Sequence, residues 1–215
     1  LEDKLTQYTD KVYVQRANVE VDGKSKWNYA CRLMALITTL LHKQRDAIGL
    51  LEVRDEDYNF FEAKNTKSQM DRILSHVKGR GEQNSKNALI TTAIDELLSR
   101  IPSRSQVIFI ADAFQQDLVS LKDSLTKLHA SNHQVLFLAI DDSQIADSKQ
   151  YEGKEVVDVE TGERLFFNQE MGEHFHSFQK ERLKALSEAV AIHGFKYFTI
   201  DCSEEIMVSL RKILA

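Results

Sequence analysis

The stretch Val107-Ile108-Phe109-Ile110-Ala111, closed by Asp112, constrains the fold more than any other part of the chain. Its consecutive apolar residues, rich in β-branched and aromatic types, are too few for an ordinary helix and show no polar alternation. They fit a strand covered on both faces. Such strands belong to parallel sheets flanked by helices, where the carboxyl ends of the strands form the crevice in which ligands bind. Asp112 stands at that end. Two roles are open to it: a functional carboxylate, or an N-cap for the turn or helix that follows, since Asp is a favoured cap.

The remaining elements repeat this strand-then-helix order. Leu1 to Glu20 reads as a polar flank in which Val12 to Arg16 alternates like an edge strand. From Ser25 to Lys43 the apolar residues Trp27, Ala30, Cys31, Met34, Ile37, Leu40 and Leu41 recur at helical spacing over more than half the girth, as in a well-buried helix. A buried strand, Ala47 to Val53, and a shorter edge strand, Tyr58 to Ala63, precede helices at Lys67 to Val77 and Ser85 to Ile101. Pro102 closes the second of these. After the central strand come a helix at Asp117 to Ala130, a buried strand at Gln134 to Ile140, a helix at Glu173 to His193, a strand at Lys196 to Asp201 and a helix from Ser203 to Leu214. Ser203, with Glu204 and Glu205 behind it, suits a helix start. Residues 143–172 interrupt the alternation, and Glu155 to Phe167 reads as a small hairpin around Gly162 that projects from the sheet. The expected architecture is α/β: a mostly parallel sheet, helices on both faces, and one domain over residues 1–215 with a 1–20 flank and a 143–172 insertion.

Composition removes several classes of function. With 42% hydrophobic residues there is material for a core, and the net charge of −5 argues against a dedicated nucleic-acid binder. The longest apolar run, Leu33 to Leu41, falls well short of the roughly 20 residues that span a bilayer, so no membrane segment is expected in this chain. It opens on Leu1 without a signal sequence, as an excised part of a longer protein would. Cys31 and Cys202 form no metal-binding or redox spacing and read as thiols of a reducing compartment, which points to a cytoplasmic location.

Catalytic signatures are few. Gly79-Arg80-Gly81 follows a helix instead of a strand and lacks the Gly-Lys-Ser/Thr ending of a phosphate loop, so it reads as a plain loop. His174 and His176 stand two apart on a helix and point to different faces, as surface residues do. Acids do collect at strand ends: Asp112, Asp141 with Asp142, and Asp201. Sharing one edge of a parallel sheet, they could gather round a hard cation such as magnesium, or act singly as caps and solvated loop residues.

Several segments together resemble the von Willebrand factor A fold, and more narrowly a bacterial family encoded beside MoxR-type AAA+ ATPases. They are Thr9 to Val14, Lys26-Trp27-Asn28-Tyr29-Ala30, Gln44 to Leu50, the Ala111-Asp112 strand end, Asp158 to Glu163, Arg182 to Leu186 and Gly194 to Tyr197. The resemblance implies a site at the carboxyl ends of the strands, which in relatives with an intact metal-ion-dependent adhesion site holds magnesium through Asp-x-Ser-x-Ser, a later Thr and an Asp after the central strand. Laid on Val12 to Val21, the first motif falls on Arg16, Asn18 and Glu20; the Thr falls near Gln83 or Asn84; only Asp112 matches. In a second alignment Thr9 to Val14 precedes the first strand, which is then missing between Glu20 and Lys24. Either way the metal site is degenerate and no cofactor is expected.

The resemblance therefore implies a non-enzymatic interaction module with a face of Arg16, Asn18, Glu20, Arg80, Gln83, Asp112 and Asp141. Its partner would be a MoxR-type ATPase or a client of one, with the Arg16 guanidinium meeting a partner carboxylate directly. The competing expectation is a metal-dependent hydrolase using Asp112, Asp141 and Asp201.

Overall fold

In the computed structural model, which describes residues 5–10, 26–54, 57–78, 90–112, 118–141, 155–157, 164–166 and 168–214, the Val107 strand takes the expected central place. Named in chain order, the strands are β1 (Leu5–Asp10), β2 (Ile48–Arg54), β3 (Asp57–Lys64), β4 (Gln106–Asp112), β5 (Gln134–Asp141), β6 (Glu155–Val157), β7 (Arg164–Phe166) and β8 (Lys196–Asp201). The helices are α1 (Lys26–Lys43), α2 (Lys67–Lys78), α3 (Ile90–Arg100), α4 (Leu118–Ala130), α5 (Gln169–Ala191) and α6 (Ile206–Leu214). Six strands form one sheet in the order β3-β2-β1-β4-β5-β8. All its neighbours run parallel except β3, which turns back antiparallel to β2 at one edge.

The unbroken apolar runs follow from a sheet that is covered twice. Val107, Phe109 and Ala111 join Leu51, Val53, Val135, Phe137 and Ala139 in one layer under α3, α4 and α5, through Ile94, Leu97, Leu121, Leu125, Leu128, Leu186 and Val190. Ile108 and Ile110 join Leu50, Leu136, Leu138, Ile140 and Ile200 in the other, under α1, α2 and α6, through Leu33, Met34, Ile37, Ile73, Val77, Ile206 and Leu210. Because successive residues of a strand face opposite sides, β4 must be apolar at every position, whereas a half-exposed strand alternates.

The N-terminus departs from expectation. Leu5–Asp10 lies inside the expected flank, yet it pairs with β2 and β4 at once. Leu5 is in register with Ile48 on one side and Gln106 on the other. Two buried strand edges with unpaired backbone groups would be costly, and a segment of modest strand propensity is recruited to fill the gap. The segment Val12 to Arg16, expected as an edge strand, lies outside the described residues.

Smaller differences concern boundaries. The edge strand β3 extends to Asp57–Lys64 and is not shorter than β2. Helix α5 begins at Gln169, within the stretch read as an insertion. Helix α6 begins at Ile206 instead of Ser203: the Asp201 carboxylate accepts the Ser203 N–H at 2.8 Å, and Ser209 N–H reaches the Glu205 carbonyl, so Ser203 belongs to a turn. β6 and β7 form the expected hairpin as a separate two-stranded sheet. No helix among the described residues is long and apolar enough to cross a membrane.

The β3 edge is tied down by side chains. Gln69, buried in α2, donates its amide to the Glu62 carbonyl at 2.7 Å. The Arg100 guanidinium lies 5.5 Å from the ring centre of Tyr58 and 5.1 Å from that of Phe60, and it also binds Glu96. Where β2 and β3 slip register at Gly49, the backbones approach so closely that a Cβ there would sit 2.7 Å from the Phe61 carbonyl oxygen. Gly49→Ala is therefore expected to destabilise the protein by about 1–3 kcal/mol, the usual cost of overpacking. Urea denaturation measures this, with an unchanged midpoint as the contrary result.

Candidate functional site

The carboxyl ends of β4, β5 and β8 place three acids along one border of the sheet, but alternation sends the first two to different layers. Asp112 shares the phase of Ile108 and Ile110 and so falls on the α1 side. There the Lys26 ammonium, at the first residue of α1, lies 3.1 Å from Asp112 Oδ2. Both side chains are almost fully buried, at 7% and 6% exposure. Burial pulls the Lys26 ammonium down, but the Asp112 carboxylate and its hydrogen bond, together with the charges of Asp141 and Cys202, outweigh that and hold the pKa above the ordinary lysine value. Lys26 is thus a fixed positive charge inside the protein.

Asp141 has the phase of Val135, Phe137 and Ala139 and falls on the α5 side. Gln179 of α5 donates Nε2 to Asp141 Oδ1 at 2.9 Å, while its Oε1 is buried with no hydrogen-bond partner. Asp201, in register with Asp141, is used by its own turn through Ser203. Around Lys26, Tyr29 donates to Ser209 Oγ at 2.7 Å and ties α1 to α6; burial raises the phenol's pKa.

Of the two roles open to the strand-end acids, Asp112, Asp141 and Asp201 are placed for the second: each is engaged within the protein, and they do not converge on one point. A hard divalent ion takes six or more oxygen ligands. Among the described residues no group of three His, Cys, Asp or Glu could hold a metal, and the carboxylate that would begin such a site carries an ammonium. Magnesium does not fit this donor set. Of the expected interaction face, Asp112 and Asp141 sit at neighbouring strand ends, whereas Arg16, Asn18, Glu20, Arg80 and Gln83 lie outside the described residues.

Sequence reading passed over Lys26 and Gln179 as site residues, although each had a signal. Lys26 is in helical phase with Leu33 and Ile37, and Gln179 with Leu183, Leu186 and Val190, so both put a polar group on a buried stripe. A further polar cluster lies at the other side of the sheet. His76 Nε2 is 2.7 Å from Glu52 Oε2, a buried carboxylate that also accepts from Asn59 at 3.3 Å. Phe61, Ser68, Asp71, Arg72, Ser75 and His76 line a shallow groove of about 590 Å³ above it. The pair satisfies a carboxylate that burial would otherwise penalise.

A strand order with one antiparallel edge, helices shared between both faces and a polar site at the carboxyl border define a von Willebrand factor A-like domain. Solved structures bear out the fold. BatB from Bacteroides thetaiotaomicron superposes with a TM-score of 0.58 at 12% identity, over 99% of this chain and 97% of that one. An aerotolerance-related membrane protein from Bacteroides fragilis NCTC 9343, carrying multiple mutations to serines, gives 0.57 at 12% identity over 99% and 98%. The SpRpn10 VWA domain gives 0.51 at 9% identity over 98% and 94%. Residues 14–186 match the family described as "Protein of unknown function DUF58", and the chain belongs to that family. Comparison with curated proteins gives no significant match.

Proposed function

We propose that the chain is a non-enzymatic protein-interaction module whose binding surface is the strand-end face. The observation that carries this reading is how the strand-end acids are used: Asp112 by Lys26, Asp141 by Gln179, Asp201 by the Ser203 amide. A hydrolase needs carboxylates converging on one substrate or one metal, whereas these are divided between two layers and engaged within the protein. They make a rigid base for the surrounding surface. That surface carries apolar groups suited to a partner: Val119 at the start of α4 is 72% exposed, and Phe178, beside Gln179, is 53% exposed. The resemblance noted above supports a MoxR-type ATPase, or a protein that it remodels, as the partner. That neither Cys31 nor Cys202 forms a disulfide supports a cytoplasmic setting.

Affinity capture tests this reading with the wild type, the exposed-site variants Val119→Glu and Phe178→Glu, and Arg80→Glu, each first shown to unfold at the wild-type temperature. The wild type is expected to retain an AAA+ ATPase or its client, identified by mass spectrometry, and the variants to lose at least tenfold of it. Equal recovery by all four would remove this face as the binding surface. Magnesium-dependent phosphoester turnover that Asp112→Asn abolishes would establish the hydrolase instead.

A further inference from the structure

We propose that β8 is an interface: its outer border pairs with the β8 border of a second copy, antiparallel about a two-fold axis at Thr199, so that two six-stranded sheets join into one. β8 ends the sheet order and, among the described residues, pairs with β5 alone. Just past the strand, the Cys202 N–H donates to the Asp141 carbonyl at 2.9 Å. The N–H and C=O of a strand residue point to one side, and successive residues alternate between sides. Phe198 and Ile200, which share the phase of Cys202, therefore direct their backbone groups to β5. Those of Tyr197 and Thr199 point outward, as donors and acceptors of the kind that recruit another strand.

The border is self-complementary. An axis through Thr199 perpendicular to the sheet sets Thr199 beside its own copy as a hydrogen-bonded pair, and sets Phe198 of one chain opposite Ile200 of the other. Thr–Thr and aromatic–β-branched pairs are among those that stabilise antiparallel strands. Lys196 and Asp201, the only charged residues of β8, lie at its two ends, so no like charges are opposed. An apolar flank on α6 extends the surface. α1 packs between α2 and α6, and Ser209, which accepts from Tyr29, marks the side of α6 that faces α1. Met207 and Leu214 fall on the other side of the helix, toward the β8 border, and are 43% and 59% exposed. The axis leaves each sheet face on its own side, so it brings the two α6 helices together along these residues. That matching of one surface to itself selects a second copy over a different protein. The β3 border is tied down by Gln69 and Arg100, so association stops at two.

The pairing is independent of any AAA+ partner and is tested on the purified chain alone. Sedimentation velocity over about 1–100 µM is expected to show the mass of one chain rising to that of two, as a micromolar equilibrium requires. Thr199→Pro removes the outward N–H without breaking the β5 ladder, and Met207→Glu sets two like charges together across the axis. Each should weaken association at least tenfold. Under diamide, Thr199→Cys should form a covalent dimer, because the two Cα atoms of a hydrogen-bonded antiparallel pair stand about 5.5 Å apart, within disulfide range. Lys196→Cys, at an exposed position, should not, because the antiparallel register carries its two copies far apart. Should Thr199→Pro fail to fold, Met207→Glu and the cross-links decide. A single-chain mass at every concentration, equal cross-linking at both positions, or dimers undiminished by Met207→Glu would each overturn the proposal.

Discussion

Lys26→Met is expected to lower the unfolding free energy by about 3–5 kcal/mol, because it leaves a buried carboxylate without its opposite charge. Methionine matches the lysine stem in length and apolar character, so little of the loss comes from packing and most from the stranded Asp112 charge. The double variant Lys26→Met/Asp112→Leu should recover most of the deficit, since an apolar pair of similar volume replaces a buried ion pair at little cost. Urea denaturation at neutral pH measures both. A single-variant loss under about 1 kcal/mol would mean that Asp112 draws its counter-charge from elsewhere.

Phe109→Ala should be comparably severe, at about 3–5 kcal/mol. The ring is fully buried at the middle of β4, its centre 5.7 Å from that of Phe137, which in turn lies 6.0 Å from Tyr197. These residues are directly in register across β4, β5 and β8, so one truncation opens a cavity and ends an aromatic row that crosses three strands. Phe178→Ala, at an exposed helix position, should stay within about 0.5 kcal/mol of the wild type. If the two variants lose equal stability, the assignment of the core to the layer beneath α4 and α5 is wrong.

What the sequence made legible follows from how strongly each feature is dictated by burial. A strand covered on both faces must be apolar at each position, so Val107 to Ala111 and Val135 to Ile140 announce themselves. The amphipathic helices do so by periodicity. β1 did not, because Leu-Thr-Gln-Tyr-Thr-Asp carries no such run and its place is fixed by the backbone pairing that β2 and β4 both require. The strand-end acids were visible as residues but not as an arrangement. Only the sheet's alternation shows that Asp112 and Asp141 turn away from each other, and only tertiary packing brings Lys26 across 86 positions and Gln179 across 38 to meet them. The polar residue on an otherwise apolar helical stripe is the sign to look for.

The fastening of β3 has a bearing on how copies of this chain can assemble. A sheet grows without limit when an outermost strand offers a regular row of backbone donors and acceptors to an incoming strand. Here the border is spoiled as a template: the Glu62 carbonyl is spoken for by Gln69, the pairing with β2 is out of step at Gly49, and a guanidinium lies across the rings of Tyr58 and Phe60. Crowding therefore does not nucleate ribbons from this border. Copies of this chain brought close together are kept from joining strand to strand along this side.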